Sequence, residues 1–396
     1  MSSARRLDPL AVARELTAAL AADAAARDLE RRFPHAELDA VKRSGLLALL
    51  VPRVDGGLGG TPGDLIRTVG TLAEGDPSVA QMTITHHSGV ELLNKVVPPA
   101  VRAPYYTRIV AGELMLTNAF SELGTRTIFE YKVRLSPAGD GGWRLNGTKA
   151  YCTGSLGGEA LYGLAVTDEE TPQPLAFLIE TDAPGVIVQD DWTGMGQRTT
   201  ASGSIEFRDA YVPAELAISP VALGPTLDNF FGTMGQAMMS ALFTGIAKAA
   251  LADAIEYVRT KARPWPHAGV ERASDDPYVL LHIGEMHALV ESADALVERA
   301  IERIEAAHAS LSLDTRVAAS LAVATAKARS TEAALAVCER LFQVCGAGAT
   351  VEKHDFDRHW RNARTLTLHD PVDYKSRLAG DWLLNGTPPP ISSHTP

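Results

Sequence analysis

The apolar positions of this chain change period twice. Over residues 8–50, Leu10, Ala13, Leu16, Ala19 and Leu20, then Leu38, Val41, Leu46 and Leu47, recur at the spacing of amphipathic helices. Residues 62–115 keep that character, with Thr61 and Asp76 placed to cap helix N-termini. Between these stretches, Asp55-Gly56-Gly57-Leu58-Gly59-Gly60 lacks both the G-x-G-x-x-G spacing and a preceding strand, which predicts a turn between helices. From about 116 to 222 the period falls to two. Phe129, Tyr131, Val133 and Leu135 alternate with more polar neighbours, Asp140-Gly141-Gly142 turns the chain, and Trp143 and Leu145 resume the alternation. Leu161 to Val166, Leu175 to Ile179, Val186 to Val188, and Ile205 with Phe207 predict further strands, punctuated by Thr171-Pro172 and Ala183-Pro184-Gly185. Short strands with no long helices between them predict a small antiparallel β-domain or barrel. From about 223 the helical period returns. Val297, Ala300, Ile301 and Ile304 form an apolar stripe opposite Glu298, Arg299, Glu302 and Arg303. Leu321 to Phe342 is almost all small or apolar, as a helix buried on several sides requires. Pro264, Pro266 and the polar run 271–276 predict a loop between helices. The predicted class is mainly α with a central β-domain. A helical domain covers 1–115, the β-domain 116–222, a helical bundle 223–386, and a proline-rich tail 387–396.

Composition narrows the function. A chain of 396 residues is long for one core and suits two or three packed units. Its net charge of −11 argues against non-specific nucleic-acid binding, which needs clustered Lys and Arg. No 18-residue uncharged apolar run predicts a membrane span. Arg5 and Arg6 precede an alanine-rich stretch, but Asp23, Arg27, Asp28 and Glu30 interrupt it, which suits an amphipathic helix and not a signal peptide. Cys152, Cys338 and Cys345 are an odd number without metal-type spacing, so reduced thiols in a cytoplasm, and no metal, are expected.

The densest chemistry lies in Asp357 to Pro371, which holds three arginines, two histidines and a Trp. Pro371 biases Asp370 away from helix, so His369 sits where the chain changes direction. An imidazole beside a carboxylate at such a corner suits proton handling near neutral pH. A solvated basic helix end gives the same pattern, and spacing alone does not separate the two. His86 and His87 lie about 100° apart on their predicted helix, so they do not face one site equally, and they are not the i,i+4 pair of a zinc helix.

Gln343 to Ala349, Asp357 to Arg364 and Thr365 to Pro371 resemble the C-terminal end of the acyl-CoA dehydrogenase fold, and the likeness extends over nearly the whole chain. It is narrower to the branch of two-component flavin monooxygenases that includes dibenzothiophene monooxygenase and the amino-sugar nitrososynthases. The dehydrogenases carry a glutamate base in a Tyr-Glu-Gly type segment where this chain has Leu368-His369-Asp370, which favours the oxygenase branch. The resemblance implies an N-terminal helical domain, a small antiparallel β-barrel and a C-terminal four-helix bundle, assembled as a homotetramer. It implies a monooxygenase that takes reduced flavin from a separate NAD(P)H flavin reductase and forms a C4a-hydroperoxyflavin with O2. That species would oxygenate sulfur, nitrogen or aromatic carbon of a small organic substrate. FMN is the expected flavin, and the nitrososynthase likeness leaves FAD open. The alternative is an FAD-dependent acyl-CoA dehydrogenase with a relocated base, for which Glu122 and Asp370 are the nearby acids.

The same resemblance distributes the roles. His369 and His86 would manage protons, with His87 as the fallback for His86 and Asp370 orienting His369. Asn118, Phe120 and Ser121, within Leu116 to Glu122, would meet the flavin ring. Tyr151 and Thr153 stand where dehydrogenases have Trp-x-Thr, and Asn118 and Thr153 would hold the oxygenated flavin. Arg263, ahead of Trp265, would bind the flavin phosphate, often that of an adjacent subunit. Gln343, Gly346 and Gly348 would form the other cofactor segment. Trp192 to Gly203 would line the substrate entrance or meet the cofactor phosphate.

Overall fold

The computed structural model describes residues 7–127 and 130–392. Phe129, the first position of the predicted strand pattern, lies outside the described residues, as do Arg5, Arg6 and the end of the tail. The N-terminal part is helical: α1 (Pro9–Ala22), α2 (Ala24–Glu30), α3 (His35–Arg43), α4 (Pro62–Gly75), α5 (Pro77–Val96) and α6 (Pro99–Val110). The caps fall where the sequence put them. Thr61 and Asp64 form a reciprocal capping box on α4, and the Asp76 carboxylate accepts from the Ser78 and Val79 amides at the start of α5. The glycine cluster is a tight turn. A Cβ on Gly57 would lie 2.2 Å from the Val51 carbonyl oxygen, so only glycine lets the two backbones approach.

Among the described residues, eight strands follow: β1 (Leu116–Ala119), β2 (Arg134–Pro137), β3 (Trp143–Lys149), β4 (Ala160–Thr167), β5 (Pro174–Glu180), β6 (Val186–Val188), β7 (Ile205–Val212) and β8 (Ala217–Ile218). They form one sheet in the order β6-β7-β3-β2-β4-β5-β8, with β1 paired to β4. Most pairings are antiparallel, as the alternation predicts, but β1 and β2 both run parallel to β4. Tyr131 and Val133 precede β2, so the strand there is shorter than its pattern suggests.

The C-terminal part contains α7 (Phe231–Thr260), α8 (Pro277–Ala309), α9 (Leu313–Cys345), α10 (Asp357–Leu366) and α11 (Asp373–Asn385). By length and composition α7 could cross a membrane, but 72% of its most apolar window is buried within the fold. It is a core helix, packed on α4, α8 and α9. Two cores result. The larger joins Leu65, Ile66 and Val69 of α4, Leu242 and Ile246 of α7, Ile301 and Ile304 of α8 and Val337 of α9, and includes Leu116 and Tyr162 from the sheet. The smaller, inside the sheet, holds Ala119, Val133, Leu145, Phe177 and Phe207. One face of β1, carrying Leu116 and Asn118, is therefore laid against α5.

Candidate active site

Helix α5 and strand β1 carry the adjacent histidines and Asn118 to one place. Both His86 nitrogens are engaged: Nε2 donates to the Leu47 carbonyl at 2.8 Å, and Nδ1 accepts the Leu116 amide at 3.0 Å. Burial pushes its pKa down to about 4, so it stays neutral as a strut between the helices and β1. No ring nitrogen remains for a ligand, which removes His86 from the catalytic expectation. His87 is also buried and held neutral by desolvation and by its neighbour, but its Nδ1 has no partner among the described residues. The two rings meet edge-on, with centroids 5.1 Å apart. Asn118 faces α5, and its buried side-chain oxygen is likewise unpartnered among the described residues. Tyr162, cross-strand from Asn118 on β4, donates to the Thr85 carbonyl at 2.6 Å and meets the Phe120 ring at 5.4 Å.

The segment after β1 is fixed by a buried ion pair. Lys149 contacts Glu122 at 2.6 Å and donates to the Phe120 carbonyl at 3.0 Å, while Glu122 also accepts the Lys132 amide. The Ser121 carbonyl accepts from the Ala150 amide at 2.8 Å, which joins this segment to Tyr151 and Thr153. Tyr151 sits in the left-handed region, at φ 56°, with an exposed ring edge-on to Trp192.

Thr153 heads a chain of buried hydroxyls. Its Oγ1 is 2.8 Å from Ser202 Oγ, which is 2.7 Å from Thr200 Oγ1, which donates to the Gln197 carbonyl at 2.9 Å. A carbonyl only accepts and each hydroxyl has one proton. The order is therefore fixed: Thr200 donates to Gln197, Ser202 to Thr200 and Thr153 to Ser202. Thr153 is left with acceptor lone pairs alone. The Gln197 amide in turn donates to Asn362 Oδ1 at 2.6 Å, tying this loop to α10.

The stretch Asp357 to Pro371 divides in two. Its first half is a structural clamp. Arg361 reaches Asp28, Asp355 and Asp357 within 2.8 Å, and buried His359 Nε2 lies 2.7 Å from Asp253. Its second half carries His369 between α10 and α11, as Pro371 predicts. The His369 ring is largely exposed, with Nδ1 3.2 Å from Asp370. Asp370 is also ion-paired to Lys375 at 2.8 Å and Lys327 at 3.5 Å; burial pushes its carboxyl up, but the His369 hydrogen bond first, then the Lys327 and Lys375 charges, hold it far below the usual range. Among the described residues, no hydrogen bond joins His369 to His87, Asn118 or Thr153. Lys327, a buried cation in the middle of α9, lies over the Phe243 ring, and desolvation lowers its pKa to about 8.

Arg263 is exposed in the loop after α7, and Gln343, Gly346 and Gly348 are exposed at the end of α9. A Cβ on Gly348 would lie 2.4 Å from the Tyr257 hydroxyl near the end of α7, so these segments share one end of the bundle. They are not bonded to Asn118 or Thr153 among the described residues. A partly open cavity of ≈ 220 Å³ lies elsewhere, between α2, the α4–α5 junction, α7 and α10. Asp28, Asp76, Asp253 and His359 wall it; of the segments expected to meet substrate or cofactor only Trp192 to Gly203 reaches it, through Thr199, and His369, His87, Asn118 and Thr153 do not line it.

Sequence reasoning missed the Ser202–Thr200 relay, Tyr162, Glu91 and Lys327. The relay hydroxyls stood within a segment already singled out, and Glu91 stands one helical turn beyond His87.

Known proteins share this architecture. The models for the acyl-CoA dehydrogenase N-terminal and C-terminal domains match residues 10–113 and 237–374. "Probable FMNH2-dependent monooxygenase SfnC" of Pseudomonas putida is 35% identical over 390 residues, covering 98% of this chain and 97% of that protein. Dibenzothiophene monooxygenase of Rhodococcus erythropolis is 35% identical over 394 residues, covering 96% and 94%. The crystal structure of TdsC from Paenibacillus sp. A11-2 with FMN and indole superposes with a TM-score of 0.92 at 33% identity, over 98% of this chain and 99% of that one. The chain belongs to the acyl-CoA dehydrogenase family, on its flavin-monooxygenase branch.

Proposed function

We propose that this protein is a monooxygenase that uses reduced FMN and O2 to oxygenate a small organic substrate, with a separate NAD(P)H flavin reductase supplying the reduced flavin. The observation that carries this reading is the state of the two acids a dehydrogenase would need. Glu122 is closed in its pair with Lys149, and Asp370 is held by Lys327 and Lys375. Neither is a free base for abstracting a substrate proton, whereas His87 keeps an open nitrogen. The residues fit a flavin: the unpartnered Asn118 oxygen, the acceptor-only Thr153 hydroxyl and the Phe120 ring offer polar contacts and an aromatic face to a heterocycle. Reduced FMN, when bound, supplies the electrons that activate O2. Asn118 and Thr153 would hold its ring edge, and Phe120 and Ser121 would flank it. His87 and His369 would hold and return protons, with Asp370 fixing the His369 ring through Nδ1. Buried apolar walls around α5 would keep bulk water out.

Arg263, Gln343, Gly346 and Gly348 would complete the flavin site of a neighbouring subunit in a homotetramer, which accounts for their exposure at one end of the bundle. Three buried free thiols suit a reducing cytoplasm. The substrate class follows the relatives: an organosulfur compound or a heteroaromatic ring. The test mixes the protein with photoreduced FMN, ¹⁸O2 and a panel of thiophenes, sulfinates and indoles. Product carrying one ¹⁸O is expected. Formation of hydrogen peroxide alone with every substrate would overturn the reading.

A further inference from the structure

Helix α5 is buried almost all round, but one polar stripe stays partly open: Gln81, Ser88, Glu91 and Lys95. These residues fall three, four or seven positions apart, so they share a face. His87 borders the stripe one turn before Glu91. Glu91 acts electrostatically on Tyr162, the cross-strand partner of Asn118 on β4. Glu91 is thus tied to the same wall as His87, Asn118 and Phe120.

Its carboxyl has no hydrogen bond or ion pair among the described residues. The nearby groups are all committed elsewhere. Lys95, the one cation acting on it, donates to the Asp228 carbonyl at 2.6 Å. The Tyr162 proton goes to the Thr85 carbonyl. Desolvation raises the Glu91 pKa to about 7, yet the side chain keeps access to solvent. A carboxyl deep in the fold, open at one side and without a partner is placed to meet a ligand.

We propose that Glu91 selects the substrate, its carboxyl accepting a hydrogen bond from an N–H or O–H group on a small heteroaromatic or polar organic molecule lying along the open stripe of α5. A carboxyl offers an acceptor oxygen whether or not it is protonated, so a donor fits both forms. Glu91 takes this role through the proposed oxygenase function, which supplies the reason for a small-molecule site beside His87.

The experiment measures binding alone, by calorimetry on the full chain without reductant. The probes are indole and benzothiophene, two bicycles of similar size that differ in N–H against sulfur. The wild type should bind indole about tenfold more tightly, the worth of one good hydrogen bond. In Glu91→Leu, or Glu91→Met should the branched side chain not fold, the ratio should fall to near one while benzothiophene still binds. Glu91→Gln keeps an acceptor oxygen and should retain a preference for indole. Equal binding by the wild type, binding of neither probe, or an unchanged ratio in the apolar variant overturns the assignment. An indole preference that depends on Glu91 in a protein forming no oxygenated product would count against the oxygenase reading and leave the Glu91 contact standing.

Discussion

Two adjacent histidines do different work, and the difference is set by what each nitrogen meets. His86 bridges the Leu47 carbonyl and the Leu116 amide, so His86→Ala leaves a buried acceptor and a buried donor unpaired. The expected cost is about 2–4 kcal/mol, read as a fall in melting temperature. His87→Ala removes a buried ring with an unpartnered nitrogen, and should lower the melting temperature only through the cavity it leaves, while product formation is lost. The pair could not be ordered from sequence, because helical spacing gives the angle between side chains but not which neighbour comes to meet each one. His86 also makes stability pH-dependent. Its folded pKa, about 4, lies below its ordinary 6.5, so the unfolded chain binds the proton more readily. The stabilising contribution is complete above pH 6.5 and is lost as the pH falls from there toward 4. Urea midpoints measured across that window should fall in the wild type and stay flatter in His86→Gln. Thr153 shows the same dependence on context. Because the relay fixes it as an acceptor, it suits the N–H that reduced flavin has and oxidised flavin lacks. Ser202→Ala frees the Thr153 proton, and the ratio of oxidised to reduced FMN dissociation constants should narrow about fivefold.

At the level of elements, what the sequence made legible was local. Thr61 and Asp76 cap α4 and α5 as their positions predict, since a cap is a contact between residues two or three apart. The apolar stripe Val297, Ala300, Ile301 and Ile304 is buried in α8 for the same reason. Non-local pairings were not legible. The strand Leu116–Ala119 exists through its parallel pairing with β4, more than forty residues away, and no turn signal announces such a partner. The charge-rich stretch after α9 misled in a physical way. Arg358, His359 and Arg361 are abundant there because α10 must tie Asp253, Asp28 and Asp355 together, not because all of them meet a substrate. The segment Phe120–Glu122 is held by a contact of that kind. Lys149→Met would leave Glu122 buried without its cation, which costs about 3–5 kcal/mol, and would release the Phe120 carbonyl. Loss of stability should be accompanied by weaker FMN binding, whereas Lys149→Arg should preserve much of both. FMN binding unchanged in a destabilised Lys149→Met would separate this segment from the flavin.

For the whole molecule, the unfinished parts lie at its surface. Leu383 and Leu384 at the end of α11 are 80% and 86% exposed, and Tyr278, Leu280 and Leu281 stand exposed on α8. Large apolar side chains grouped on helices in this way are what a subunit interface covers. The cofactor candidates fall into two groups with no described bond between them: Asn118, Phe120 and Thr153 beside α5, and Arg263, Gln343, Gly346 and Gly348 at the end of the bundle. In the proposed homotetramer, the two half-sites on one chain would be completed when copies meet, with one copy supplying each half. The arrangement makes a definite prediction for mixed assemblies. His87→Ala and Arg263→Glu should each be nearly inactive alone, since every site in either assembly lacks one group. When the two are dissociated and reassociated together, some sites combine an intact His87 from one chain with an intact Arg263 from another. Those sites should restore a fraction of product formation, while light scattering reports the same assembly mass as the wild type. A mixture that regains full mass but no activity would place Arg263 and His87 in the same chain's site and remove the shared-site arrangement.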